Sequence, residues 1–399
     1  MRSSLCGPQL ASDVLAASFR GMYGVSPHMF RAPGRVNVIG EHTDYNDGFV
    51  MPAAIELYTW IAAAKREDRL VEAYSANFDE RIILSLDALT GPPRRHWSDF
   101  VRGVAATLEG AGHQLSGANL VIHGEVPVGA GLSSSASLAV ATALALTSLS
   151  RVTLPRLDLV KLCQKAEHEY VGTRCGIMDQ FITTFGAAGC ALMLDCRSLA
   201  HQLLPIPADI RLVVCNSMVK HELAVGEYNR RRADCEIGVN LLQEHLPEIH
   251  ALRDVEIADL EDYREVLSAT IYRRCRHVVT ENQRVLAAAK ALQSGDVDRC
   301  GHLMYRSHAS LRDDYEVSCQ ELDLLVHLAS SSPGVYGARM TGGGFGGCTI
   351  NLVKTDVADT FKAHIAEAYS GATGITPEIY ICEPAQGAQA WPTQWNDPV

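Results

Sequence analysis

An α+β fold of two lobes, with mixed sheets, helices and a site in the cleft between the lobes, is what the sequence predicts, on three observations. Strand-like runs and helical stripes alternate through the first half and again in the tail. A long, charged and mainly helical block separates those two regions, and no repeat or low-complexity linker divides the chain. With 399 residues, 47% hydrophobic and 20% charged, the chain can bury a sizeable core and fill about two or three ordinary domains. A boundary near residue 205 is expected, with an N-terminal lobe over 1–205 and a C-terminal lobe over 206–399.

The elements follow from local pattern. Leu10, Val14 and Ala17 have helical spacing, and "GMYG" ends that helix. Val36 and Val38 alternate as a strand does, "IELYTWIAAA" and "RIILSL" are rich in strand formers, and Phe100, Val101, Val104 and Leu108 form a helical stripe. "NLVIHGEV" reads as a strand entering "PVGAGL", and "SSSASLAVATALALTSL" as a helix buried nearly all round. "CALMLDC" and "IRLVVCNS" are strands, and helices fill most of 219–330. The tail adds an "ELDLLVHLA" helix, a "SSPGVYG" turn, a "CTINLV" strand, a "VADTFKAHIAEAY" helix and an "EIYICE" strand.

Composition narrows the function classes. A formal net charge of -11 opposes general attraction to nucleic acid or an anionic membrane, which leaves small molecules as the expected partners. No apolar run approaches membrane-spanning length, and "MRSSLCGPQLASDVL" has no signal-peptide core, so a cytoplasmic protein is expected. The 12 cysteines lack a CxxC pair or histidines at zinc spacing, as reduced and mostly buried thiols would.

Three constellations carry chemistry. In "PVGAGLSSSAS", Gly129 and Gly131 permit close backbone approach, the helix start that follows offers free amides to phosphate, and Ser133, Ser134 and Ser135 add hydroxyls for phosphate or a cation. It lacks the Gly-Lys-Ser/Thr ending of a P-loop and the spacing of a dinucleotide fingerprint, and taken alone it equally suits a helix N-cap. "RMTGGGFGGCTINL" places five glycines within 342–347, a density suited to close packing or ligand approach. In "RAPGRVNVIGEHTDYNDG", Glu41, His42 and Asp44 fall within four residues, a set able to orient sugar hydroxyls, although Asp and Asn also favour a plain surface turn. Asp179 in "CGIMDQF" is bracketed by apolar residues and so needs a partner, which Arg31 or Arg35 could supply.

Taken together these segments resemble the galactokinases, within the superfamily that also holds homoserine, mevalonate and phosphomevalonate kinases. "GRVNVIGEHTDYNDGFVMP", "GAGLSSSAS", "CGIMDQF" and "TGGGFGG" match in order over residues 31–347. The resemblance implies the two-lobed kinase fold of that superfamily and transfer of the ATP γ-phosphoryl group to the anomeric hydroxyl of α-D-galactose. It implies Asp179 and Arg35 as catalytic residues, and Glu41, His42, Thr43, Asp44, Gly176 and Tyr228 as sugar-binding. Gly129, Ala130, Gly131, Leu132, Ser133, Ser134 and Ser135 form the implied phosphate loop, with Ser75 a further nucleotide contact and Ser135 and Glu167 the ligands of Mg2+. A monomer is expected. N-acetylgalactosamine kinases share these motifs, and so do galactose and ATP sensors without efficient turnover. His168 and the run Arg230, Arg231 and Arg232 are expected to be solvated helix faces.

Overall fold

A computed structural model describes residues 8–220 and 224–392. The segment 1–7, which includes Cys6 and the first part of the region read for a signal core, lies outside the described residues, as does the Leu10 side chain. Helix α1 (Pro8–Tyr23) ends where Gly24 takes a positive φ of 71°, the conformation that closes a helix at little cost to glycine. Its buried face is Ser12, Leu15 and Phe19, whereas Val14 and Ala17 are exposed. The expected helix is present, rotated from the stripe first read, because the large ring of Phe19 outweighs alanine as a packing group.

Strand β1 (His28–Ile39) pairs antiparallel with the long β2 (Phe49–Arg66), and β3 (Leu70–Ser75) and β4 (Glu80–Ser85) form a hairpin beyond them. Helix α2 (Ser98–Gly110) precedes β5 (Gly117–Gly124), which lies between β2 and β3 and is parallel to β3. Helices α3 (Ser134–Ser150), α4 (Arg156–Ala166) and α5 (Met178–Phe185) follow, with a π-helical turn over Glu167–Val171. Strands β6 (Cys190–Asp195) and β7 (His201–Pro205) extend the sheet from β2.

Strand β8 (Ile210–Lys220) begins a second sheet. Helices α6 (Ala224–Gln243), α7 (Ile257–Asp262), α8 (Ala269–Gln293), α9 (Val297–Asp313) and α10 (Gln320–Ser330) make the helical block. Strands β9 (Val335–Thr341) and β10 (Gly346–Lys354), helix α11 (Ala358–Thr373) and strand β11 (Glu378–Cys382) complete the order β11-β8-β10-β9. The last described strand, β12 (Gln389–Trp391), returns to the edge of the first sheet beside β1. Strands β3, β7, β9 and β12 have no counterpart in the sequence reading; each is short, and β9 was hidden by the glycine run after it.

One face of the first sheet is covered by α2, α3 and α4, and the other by α1 and α5. Helices α10 and α11 cover the outer face of the second sheet. Between the two sheets, Val36, Val38 and Met51 meet Leu212, Val214 and Ile350, with Val285 and Ala288 of α8 in the same cluster. Strand β1 is therefore buried on both sides from Phe30 to Ile39, and the polar residues it carries must find partners inside the protein.

Where the sheets meet, the two glycine loops touch through their backbones. A Cβ on Gly342 would lie 2.7 Å from the Gly131 carbonyl oxygen, and one on Gly347 would lie 2.8 Å from that of Ala130. Gly342 also holds a φ of 87°. Gly342→Ala combines a left-handed backbone penalty with overpacking and is expected to cost about 2 to 4 kcal/mol in urea unfolding. Gly371→Ala, in open space on α11, should be neutral or stabilise by up to about 1 kcal/mol. Equal unfolding midpoints for the two variants would rule out the interlocked loops.

Candidate active site

Arg35 stands on β1 and is 5% exposed. Its Nε donates to Asp179 Oδ1 at 2.8 Å and its Nη2 to Asp179 Oδ2 at 2.7 Å, while Nη1 donates to the Gly131 carbonyl at 2.5 Å. Of the two arginines the sequence offered to Asp179, Arg35 is the partner. Arg31 instead lies against the rings of Tyr58 and Trp391, 4.4 and 3.8 Å from their centres. Burial works against the Arg35 cation, but the charges of Asp179 and Glu41 outweigh it and raise the group's pKa. Asp179 sits in the first turn of α5, and the Ser133 hydroxyl donates to its Oδ2. Ser133 itself takes a left-handed conformation, φ 60° and ψ 44°, at the start of α3. One guanidinium thus joins β1, α5 and the glycine loop.

The loop's side chains divide. Ala130 and Leu132 are buried in the core, so the loop offers a ligand their backbone alone. The Leu132 carbonyl accepts from the Arg35 amide at 3.1 Å. Ser135 bonds Glu167, whose carboxylate also accepts from Gln180 Nε2 at 2.8 Å. Ser75, the buried last residue of β3, pairs with Ile122 of β5, the strand that leads into the loop.

The segment between β1 and β2 forms the second part. Glu41 is buried against Arg339, with Nη2 to Oε2 at 2.8 Å, and the same guanidinium donates to the Asn37 carbonyl at 2.8 Å. His42 has a φ of 64°, and its Nδ1 lies 2.7 Å from the Tyr45 hydroxyl, which in turn lies 2.8 Å from that of Tyr315. The Tyr228 ring on α6 packs 5.5 Å from both His42 and Tyr45. Asp44 lies directly against Gly176, where any Cβ would collide with its carboxylate. Thr43 is wholly buried, and its hydroxyl lies 2.9 Å from the Gly40 carbonyl and 2.6 Å from that of Phe49, so it braces the turn from within.

Two expectations about the surroundings are corrected. Arg231 is 6% exposed and donates to the carbonyls of Tyr315 and Glu316, because the segment that follows α9 lies over that face of α6. Arg230 alone of the three is well exposed, and Arg232 reaches the Arg174 carbonyl at 2.7 Å. His168 is half-buried, with Nε2 2.7 Å from the Cys175 carbonyl; the π-helical turn directs it at the Cys175–Gly176 segment instead of at solvent. Sequence reasoning missed Arg339, Tyr45, Gln180 and Tyr315. The first three lie inside motifs already singled out, and only Tyr315 had no signal.

Four carboxylates share this space with two arginines. Burial, with Asp179 and Glu41 nearby, pushes Asp44 up to about 7. Burial and Asp179 likewise push Glu167 up to about 7, although Cys175, Ser135 and Gln180 hydrogen-bond it. Burial raises Glu41 also, against the pull of Arg339 and Arg35. Burial and the neighbouring His277 lower His42 to about 3, so its ring is neutral at pH 7. The arrangement can hold hydroxyls between charged acceptors and attract a cation to Glu167.

An acid whose folded pKa is raised binds more protons than the unfolded chain, so the stability it contributes is present at low pH and lost as pH rises through the folded value. For Glu167 that window runs from about 4.5 to about 7. Glu167→Gln is therefore expected to raise the ligand-free Tm at pH 8 by about 2 to 4 °C, with the gain closing below about pH 4.5. Differential scanning calorimetry across that range checks it, and a variant less stable than wild type at pH 8 contradicts the sign.

Comparison with known proteins agrees with this geometry. Family models match for the galactokinase galactose-binding signature over residues 17–65, the N-terminal domain of GHMP kinases over 99–187 and their C-terminal domain over 288–371. A galactokinase of Roseiflexus sp. (strain RS-1) is 47% identical over 95% of this chain and 97% of its own length. That of Chloroflexus aggregans is 48% identical over 94% and 96%. The crystal structure of Lactococcus lactis galactokinase complexed with galactose superimposes with a TM-score of 0.92 at 38% identity, covering 95% of this chain and 99% of that one. Methanococcus jannaschii mevalonate kinase, at 17% identity and a TM-score of 0.63, shares the fold. With near-half identity to its relatives along almost its whole length, this chain belongs to the galactokinase family.

Proposed function

We propose that this protein transfers the γ-phosphoryl group of ATP to the anomeric hydroxyl of α-D-galactose, giving α-D-galactose 1-phosphate and ADP. The observation that carries the reading is the Arg35–Asp179 pair, placed between the Glu41–Asp44 turn and the glycine loop. Asp179 receives or orients the hydroxyl proton, held at one angle by the two guanidinium bonds and by Ser133. Arg35, bonded also to the Gly131 carbonyl, stands at the edge of the phosphate loop, where it offsets charge that develops on the transferring group. Backbone amides from Gly129 through Ser135 at the start of α3 receive phosphate oxygens. Ser75 on the adjoining strand is the outlying nucleotide contact. Glu41, His42, Asp44, Gly176 and Tyr228 hold the sugar, with Thr43 shaping their turn. Gly176 does so by having no side chain, which lets Asp44 stand where it does.

Ser135 and Glu167 would hold Mg2+, and the donor set fits. Both are hard oxygen donors in contact, and the burial and the neighbouring Asp179 charge that raise Glu167 disfavour its anion, a cost that a bound cation would offset. Among the described residues no group of three or more His, Cys, Asp or Glu side chains could hold a metal by itself, so phosphate oxygens and water must complete the shell. When bound, the ion neutralises phosphate charge. A lobe boundary near residue 205 belongs to the same reading: β1–β7 form one sheet and β8–β11 the other, with β12 returning to the first. So does a monomer acting in the cytoplasm; among the described residues no helix is long and apolar enough to cross a membrane.

Phosphorus NMR with magnesium and ATP, in parallel with D-galactose, N-acetylgalactosamine, D-glucose and no sugar, tests the activity. A sugar 1-phosphate signal growing fastest with galactose is expected. Faster growth with N-acetylgalactosamine would move the substrate, and binding of galactose and ATP without turnover would make the chain a sensor. Asp179→Asn is expected to lose roughly 10²- to 10⁴-fold in kcat while calorimetry still detects sugar binding. Wild-type turnover in the folded variant removes Asp179 from the proton-handling role.

A further inference from the structure

The turn that carries Glu41, His42 and Asp44 leaves the first sheet with buried peptide groups whose partners are side chains of one helix. Gly40 N donates to Glu281 Oε1 at 2.9 Å, and Phe49 N donates to Asn282 Oδ1 at 2.9 Å. His277 Nε2 lies 3.1 Å from the Glu41 carbonyl, to which it must donate. These residues stand at i, i+4 and i+5 on α8, along the side of the helix that meets the turn, and His277 and Glu281 are wholly buried. They thus grip both ends of the turn. Glu281 is itself fixed by Arg284 Nε at 2.5 Å and the Ser307 hydroxyl at 2.6 Å, and His277 Nδ1 by Ser310 Oγ at 3.0 Å.

Within that grip the backbone is held in an unfavourable shape. Gly40, His42 and Asp47 have φ values of 100°, 64° and 57°. For the two non-glycine residues this conformation costs about 1 to 2 kcal/mol each and persists only where the surroundings over-determine it. A helix needed only for packing would bury apolar side chains along this face, as α8 does with Val278 and Val285 on adjoining positions. Burying His277, Glu281 and Asn282 gives up that hydrophobic stabilisation for defined backbone geometry.

We propose that α8 is a positioning element for the sugar: His277, Glu281 and Asn282 hold the backbone at Gly40, Glu41 and Phe49, and so aim Glu41, His42 and Asp44 at the sugar hydroxyls. The inference rests on the galactose-kinase reading and adds to it three residues that touch no substrate. Its consequence is selective, because among the described residues the hydrogen bonds that fix the glycine loop run to Arg35 of β1 and Asp179 of α5 and none runs to α8.

Asn282→Leu removes the acceptor for Phe49 N, whereas Asn282→Asp retains an oxygen at the same place. Initial rates are measured for wild type and both variants with galactose and ATP varied separately, alongside thermal unfolding. Asn282→Leu is expected to raise KM for galactose about tenfold or more with KM for ATP within about twofold, and Asn282→Asp to recover most of the loss. A lowered Tm with the galactose KM unchanged, or a proportional rise in both KM values, overturns the proposal and leaves α8 a packing element. If Asn282→Leu does not fold, His277→Phe, which keeps a ring and drops the bond to Glu41, carries the same two readouts. A wild-type chain that does not phosphorylate galactose fails the underlying reading, whatever the variants do.

Discussion

A guanidinium buried as deeply as that of Arg35 has to be neutralised where it lies, and most of the site's architecture follows from that requirement. Asp179 answers it with both oxygens, which fixes the first turn of α5 against β1. The remaining nitrogen reaches the Gly131 carbonyl, which fixes the glycine loop against the same strand. Such a pair adds little net stability over a well-packed apolar one, but removal of either partner leaves a charge stranded, at about 3 to 5 kcal/mol. Its value is geometric. Three segments far apart in sequence are held to one planar group with five donors.

The glycines allow the rest of the chain to approach that group. Gly34 brings β1 within reach of the Leu132 carbonyl, and Gly131, Gly342 and Gly347 let the loops from the two sheets meet backbone to backbone. Side chains at these positions would hold the sheets apart and move Asn37 from Thr341, whose hydroxyl accepts the Asn37 amide at 2.9 Å. Arg339 on β9 closes the same gap by bonding Asn37 of the first sheet and Glu41 in the turn beyond it. A strand buried on both faces is thus tied across the sheet junction by polar groups, and the site lies along that seam.

What was legible beforehand follows the range of each interaction. Helices α2, α3 and α11 and strands β5, β8 and β10 show in the sequence because their periodicity is local. The candidate residues of the turn, the glycine loop and the Asp179 segment were singled out through their motifs; the residue pattern alone left Arg31 and Arg35 open, because strand alternation places both on one face, and the resemblance named Arg35. Of the aromatic rings that hold Arg31, Tyr58 and Trp60 come from the neighbouring strand and Trp391 from more than three hundred positions away, and no local pattern reports that they meet. Arg231 was misplaced for the same reason, because a charged residue in a charged helix reads as solvated until a distant segment covers it, whereas His168 was misplaced by a local π-helical turn that the α-helical period does not report. His277, Glu281 and Asn282 had a faint signal, polar residues recurring on the face of α8 that also carries buried valines, but nothing in that helix names the turn it grips.

The placement of charge explains why the site tolerates an unfavourable ligand-free state. Asp44 and Glu167 are raised to about 7 by burial and by Asp179, so each is held partly against its own ionisation. Apolar or amide side chains there would relieve the fold, and the chain retains the acids instead. Carboxylates that repel one another across a small space have unspent capacity to accept hydroxyl protons and to attract a cation, so ligands that meet this need bind with energy the fold has withheld. The buried histidines act in the other direction. His42 and His277, lowered to about 3 and about 4, remain neutral at pH 7 and add no positive charge that would satisfy the acids internally. Positive charge inside the site is left to Arg35 and Arg339, each committed to one carboxylate, and the shortfall around Asp44 and Glu167 is the part of the electrostatics that, in the function proposed above, a sugar and a metal-bound nucleotide complete.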